Sequence, residues 1–189
     1  MVRHAGSRGF TLLEMLLVIV IFGFLLTLVA PKIDLQKFTV DSAMQSAGTT
    51  LLVAQRLAVT RQHNIIVAFD VPAEAMRILD DANNNGQADP GEHLRVVPLG
   101  EHIVYGQGGA PPLGTWAGPI SFTKTFGTLP AVTFHRDGSA SEAGAVYLTT
   151  ARAAAGPGHA GDSRVIETDR ATARVSWYRA APPAWKRGF

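Results

Sequence analysis

From Phe10 to Ala30 the chain runs for 21 residues in which only Thr11, Glu14 and Thr27 are clearly polar, and Pro31 closes the run. At about 1.5 Å per residue a helix of that length reaches across a hydrocarbon core roughly 30 Å thick. The run therefore predicts a membrane-embedded helix, because it has no polar face with which to lie on a water-facing surface. Glu14 lies four residues after Phe10, one turn along the same face, and an ionisable group at that depth is costly enough to need a partner.

A cut between Gly9 and Phe10 supplies one. The new α-amine of Phe10 would carry a positive charge, and a similar helix packed alongside would offer that amine to its neighbour's Glu14. The residues ahead of the junction are basic, with Arg3, His4 and Arg8. A secretory signal has an apolar core of about 7–15 residues followed by a small-x-small cleavage site. The corresponding position here is Leu28-Val29-Ala30 before Pro31, which is too bulky and too late. A plain single-pass anchor accounts for the hydrophobicity but leaves Glu14 and the Gly9-Phe10 junction unexplained. The basic leader, Gly9, Phe10 and Glu14 as fifth residue after the junction resemble the leader and N-terminal helix of type IV prepilins and pseudopilins. The resemblance implies that a prepilin peptidase removes residues 1–9 and methylates the Phe10 amine to N-methylphenylalanine. It also implies a single-pass helix that serves as bacterial inner-membrane anchor and filament core, a C-terminal domain in the periplasm, and Glu14 as the assembly carboxylate.

Once the leader and the anchor are set aside, about 160 of the 189 residues remain, enough for one modest globular domain. Removing Arg3 and Arg8 from the 17 basic residues leaves 15, which balance the 15 acidic ones. That balance gives no global case for nucleic acid or anionic lipid. The chain has no cysteine, so stability has to come from packing or from a metal.

Beyond Pro31, apolar residues return at Ile33, Phe38, Met44, Ala47, Leu51, Leu52, Ala54, Leu57 and Ala58. Their spacing predicts an amphipathic helix over 31–62, continuous with the first through a kink at Pro31, with Asp34, Lys37, Asp41, Gln45 and Arg56 on its outer side. After Asn64 the pattern changes to short β-type runs: 65–69, 75–79, 93–97, 103–105, 120–123, 131–134, 145–149, 164–168 and 174–178. No long helix intervenes, so the sheet is expected to be antiparallel. Residues 106–118 and 153–161 are rich in Gly, Pro or Ala and read as surface loops. The expected fold class is α+β, with four parts: leader 1–9, apolar helix 10–30, amphipathic helix 31–62 and antiparallel β-domain 63–189.

Near the C-terminus, Phe134-His135-Arg136-Asp137-Gly138-Ser139-Ala140-Ser141 precedes a strand, and 164–167 leads into Asp169-Arg170-Ala171-Thr172-Ala173-Arg174-Val175. Both stretches resemble the C-terminal half of the H-type minor pseudopilins of type II secretion and of the related FimT minor pilins. The resemblance implies a long helix packed on two small antiparallel sheets. It also implies a structural subunit of a periplasmic pseudopilus that helps export folded proteins, with a minor type IV pilin acting in pilus assembly or DNA uptake as the alternative. The partners implied are other major and minor pseudopilins, the prepilin peptidase and the inner-membrane assembly platform. The family often has Gly where this chain has Ala173, so a turn of another type is expected there.

The segment from Asp81 to Glu92 has the oxygen pattern of a twelve-residue calcium loop. Asp81, Asn83, Asn85, Asp89 and Glu92 fill positions 1, 3, 5, 9 and 12, Gly86 is at position 6, and Gln87 offers its carbonyl at position 7. The flanks read as strands and not as the helices of an EF-hand, and a polar hairpin tip uses the same residue types. Both readings stand, and no other cofactor is expected.

No catalytic constellation stands out, and an enzyme is not expected. His135, Asp137 and Ser139 alternate at one strand end, whereas a nucleophilic triad is defined by convergence in space. The glycines of 106–118 lack the Lys-Ser/Thr of a phosphate loop. His63, His93, His102 and His159 have no metal spacing. The tail carries Arg174, Arg179, Lys186 and Arg187 with Trp177, Tyr178 and Trp185 interleaved. Such a mixture suits phosphate and base contacts, or else the aromatics close the core while the arginines line an edge strand.

Overall fold

A computed structural model describes residues 10–29 and 35–188. The expected leader, Gly9 and the expected kink at Pro31 lie outside those residues. The chain divides into two units, one ending at Leu35 and one from Gln36 onward.

In the first unit, α1 spans Leu12–Val29. Its start is set by Thr11, whose hydroxyl accepts the Glu14 N–H at 3.2 Å, satisfying one of the free donors of the first turn. Further along, the Thr27 hydroxyl donates to the Phe24 carbonyl at 2.7 Å, so this polar group adds no unmet demand to the apolar run. The 18 residues of α1 make about 27 Å of helix, slightly less than a hydrocarbon core of roughly 30 Å. Among the described residues no helix is long and apolar enough to cross a membrane.

In the second unit, α2 (Leu35–Arg61) buries one stripe made largely of small residues, Val40, Ala43, Met44, Ala47, Gly48, Leu51, Ala54 and Ala58 among them. Small side chains allow close approach of the helix to the sheets. Gly48 is the tightest point, where an added Cβ would collide with the Trp177 indole. Two expectations for this helix are corrected. Phe38 is 67% exposed and not part of the core, because it falls off the stripe defined by Val40, Met44 and Ala47. Asp41 is drawn inward from the expected outer side by two arginines described below.

The strands are β1 (Asn64–Asp70), β2 (Ala75–Asp81), β3 (Leu94–Pro98), β4 (Ile103–Tyr105), β5 (Thr125–Phe126), β6 (Leu129–Phe134), β7 (Gly144–Thr150), β8 (Arg164–Thr168), β9 (Val175–Ala181) and β10 (Ala184–Arg187). They form two five-stranded antiparallel sheets, ordered β3-β2-β1-β6-β5 and β10-β9-β8-β7-β4. The α+β expectation with two antiparallel sheets is met. Alternation along β1 sends Ile65, Val67 and Phe69 into a core shared with α2 and the second sheet, and Ile66 and Ala68 into a small cluster on the opposite face.

Several local expectations fail. Residues 120–123 are not a strand, since only Ile120 makes an isolated bridge, to Val146. Phe122 is instead buried and stacks on Phe69 with ring centroids 5.5 Å apart, so side-chain packing rather than a ladder accounts for its apolar character. The β9 strand begins one residue later than 174 and runs on to Ala181. Inside the expected 153–161 loop lie the end of a short helix, α3 (Ala151–Ala155), capped by the Thr150 hydroxyl, and the start of a 3-10 turn at Ala160–Asp162. The Ala run there has high helix propensity and lacks only length.

Candidate functional site

Every large apolar side chain described from Phe10 to Leu26 is exposed, from 38% at Val18 to 85% at Leu12. Glu14 is exposed in the first turn of α1, where the helix dipole favours a carboxylate. Among the described residues no ion pair takes it. Phe10, the expected methylation site, is 75% exposed just ahead of the helix.

The structure also brings together charged residues that the sequence did not link to one another. Asp41 of α2 accepts from Arg164 Nε at 2.6 Å and pairs with Arg179 Nη2 at 3.0 Å. The Arg164 side chain is only 4% exposed, and its Nη1 also donates to the Gly161 and Ser163 carbonyls, both at 2.8 Å. A buried guanidinium with this many acceptors ties α2 to β8 and β9 across 123 positions, a separation that no local sequence signal reveals.

The 81–92 segment leaves the end of β2 and returns at β3, so its flanks are strands as expected. Asp81 is fully buried, and its two oxygens accept the Asn85 and Gly86 N–H groups, each at 3.0 Å. Gly86 takes a φ of 76°, which glycine adopts without steric cost. Asn83 and Asn85 use their Oδ1 atoms on the N–H groups of Asn85 and Gln87. Their amides donate to Asp89 Oδ2 at 2.7 and 2.5 Å, and these bonds hold the Asp89 carboxyl below its usual range. Glu92 accepts the Ala82 and Asp89 N–H groups at 2.9 and 3.1 Å, while Gln87 is exposed. The loop oxygens thus close the loop on its own hydrogen bonds. Among the described residues no group of three or more His, Cys, Asp or Glu is arranged to hold a metal.

The four basic tail residues are not gathered on one face. Arg174 is exposed in the turn before β9, and Arg179 faces α2 through Asp41. Lys186 pairs opposite Arg179, whereas Arg187 pairs opposite Tyr178 on the other face and donates to Ser176 Oγ at 3.1 Å. The aromatics are engaged in packing. Trp177 lies against the core beside Gly48, Tyr178 donates to Glu167 at 2.9 Å, and Trp185 donates to the Pro111 carbonyl at 2.9 Å while meeting the Tyr147 ring edge-on. Tyr147 in turn fixes the glycine-rich 106–118 segment, accepting the Leu113 N–H and donating to the Trp116 carbonyl.

At the β6 end, His135 Nδ1 lies 3.1 Å from Asn64 Oδ1, whereas Ser139 donates to Asp137 at 2.6 Å. The Ser139 bonds hold the Asp137 carboxyl below its usual range, and Ser139 meets His135 through the backbone, its carbonyl accepting the His135 N–H at 2.9 Å. In the β8–β9 turn Asp169 Oδ1 accepts the Thr172 N–H and hydroxyl, both at 2.9 Å. Ala173 itself takes the positive φ, 47°, and its methyl is fully buried, so burial offsets the conformational cost that glycine would have avoided.

A family model described as the prokaryotic N-terminal methylation motif matches residues 5–30. The pilin-like protein PilA1 of Thermus thermophilus is 34% identical over 95 residues, covering 50% of this chain and 61% of that protein. The chain thus spans about three fifths of the length of this curated relative. The structure of the minor pseudopilin EpsH from the Type 2 Secretion System of Vibrio cholerae is similar with a TM-score of 0.47 and 12% identity, covering 76% of this chain and 98% of that one. The chain is similar to pilin-like proteins in its N-terminal methylation motif over residues 5–30, and its described elements are an apolar helix and, in the second unit, a helix-backed pair of antiparallel sheets.

Proposed function

We propose that this chain is a minor pseudopilin, a structural subunit of a short periplasmic filament of type II secretion, with no catalytic role of its own. The single observation that carries the reading is the all-round exposed apolar surface of α1 with one carboxylate, Glu14, in its first turn. A helix with no polar face has to be covered by lipid or by other helices, and a lone carboxylate there calls for a cationic partner from outside the described residues. Cleavage between Gly9 and Phe10 would create that cation on a neighbouring subunit. The 21-residue apolar run to Ala30 supports membrane anchoring before assembly, and the methylation-motif match supports processing at Phe10.

In the test, Glu14→Ala leaves leader removal intact, read by mass spectrometry of the membrane-extracted protein, but cuts recovery of the subunit in sheared filaments. Unchanged recovery sinks the pairing, and residues 1–9 still attached to the wild-type protein sink the filament account altogether.

A further inference from the structure

We propose that the depression between the 81–86 segment, β6 and the β8–β9 turn binds a phosphate group, with Lys124, His135 and Arg170 as its basic residues. The cavity measures about 410 Å³, within the range of small-molecule sites. Its three basic residues arrive from well-separated segments: Lys124 just before β5, His135 just after β6 and Arg170 after β8. Lys124 and Arg170 are exposed, and among the described residues no ion pair takes either of them.

Neutral groups and one buried carboxylate complete the lining. Ser141 Oγ accepts the Thr133 N–H at 3.1 Å, which leaves its own proton to donate outward. His135 is oriented by Asn64, and the segment carrying Arg170 is fixed by its carbonyl, which accepts the Ala140 N–H at 2.8 Å. Asp81 is the one acidic residue in the lining. It is fully buried with both oxygens taken by backbone N–H groups, so its charge is already answered from within the loop. A second depression of about 340 Å³ shares His135, Ser141 and Arg170, which places Arg170 at the border of both.

A guanidinium fork and an ammonium on one small cavity match a tetrahedral oxoanion better than any neutral ligand. The cavity exceeds the size of one phosphate, so a free phosphate and the phosphate of a small organic ester meet the same chemistry. The site is independent of the assembly reading, since none of its residues lies on α1.

The full-length chain in a non-ionic detergent is titrated calorimetrically at low salt with inorganic phosphate and, separately, with adenosine monophosphate. Saturable phosphate binding is expected. It should weaken about tenfold in Arg170→Ala and in Lys124→Ala, and it should fall as sodium chloride is raised. Arg95→Ala, which removes an exposed charge outside this cavity, is expected to bind like wild type, and unchanged melting of all three variants confirms their fold. Tighter binding of the nucleotide assigns the site to an organic ester, and equal or weaker binding assigns it to the free anion. Absence of saturable phosphate binding, or an equal loss in Arg95→Ala, overturns the proposal.

Discussion

The two long helices each carry an acidic residue near the N-terminal end, and the chain answers the two in opposite ways. Asp41 on α2 is met by Arg164 and Arg179 of the same domain, and the stripe beside it is covered by both sheets. Glu14 on α1 has no ion-pair partner among the described residues, and its apolar neighbours are exposed on every side. One helix is therefore satisfied by folding, while the other is left uncovered among the described residues. The difference lies in periodicity: α2 alternates small apolar and polar residues at helical spacing, whereas α1 carries only Glu14 and Thr27 in an otherwise apolar run.

Removing the partner of a buried charge is the sharpest way to break this contrast. Asp41→Ala leaves Arg164 buried without its carboxylate and is expected to cost about 3–5 kcal/mol of domain stability, read by urea denaturation. Glu14→Ala is expected to leave the same unfolding curve in place, and a comparable loss there would mean that α1 is satisfied within the chain after all. Gly48→Val probes the close approach of α2 to Trp177 and is expected to destabilise by about 1–3 kcal/mol through overpacking, with loss of the Trp177 environment visible in near-ultraviolet circular dichroism. A neutral result would show that the helix stands further from β9 than the geometry places it. The smallest expected effect belongs to the 81–92 loop. The calcium reading of its ligand pattern predicts a melting temperature a few degrees higher in calcium than in chelator, because an ion that binds only the folded loop stabilises it. Superimposable curves dismiss that reading and leave the loop to its own hydrogen bonds.

Much of the β-domain was legible because β1, β6, β7 and β8 are rich in β-branched and aromatic residues with turn residues between them. The strands that were missed lack either length or that composition. β5 is two residues long, and β10 is Ala184–Arg187, held in place by pairing to β9 and by Trp185 closing over Tyr147. The phosphate-site residues were unreadable for a related reason. Lys124, His135 and Arg170 are ordinary surface residues in sequence, and they become a group only because β6 and the β8–β9 turn meet beside the 81–86 segment.

The sequence by itself determined the apolar helix with its single acid, the amphipathic second helix and the strand-rich remainder, because each is written in local periodicity or in adjacent residues. Only the tertiary structure decided that Asp41 faces inward, that Arg179 and Lys186 lie on the face opposite to Arg187, and that Phe122 packs in the core instead of pairing in a ladder. Those outcomes depend on which distant segments are brought within a few ångströms of one another, and chain order carries no record of that.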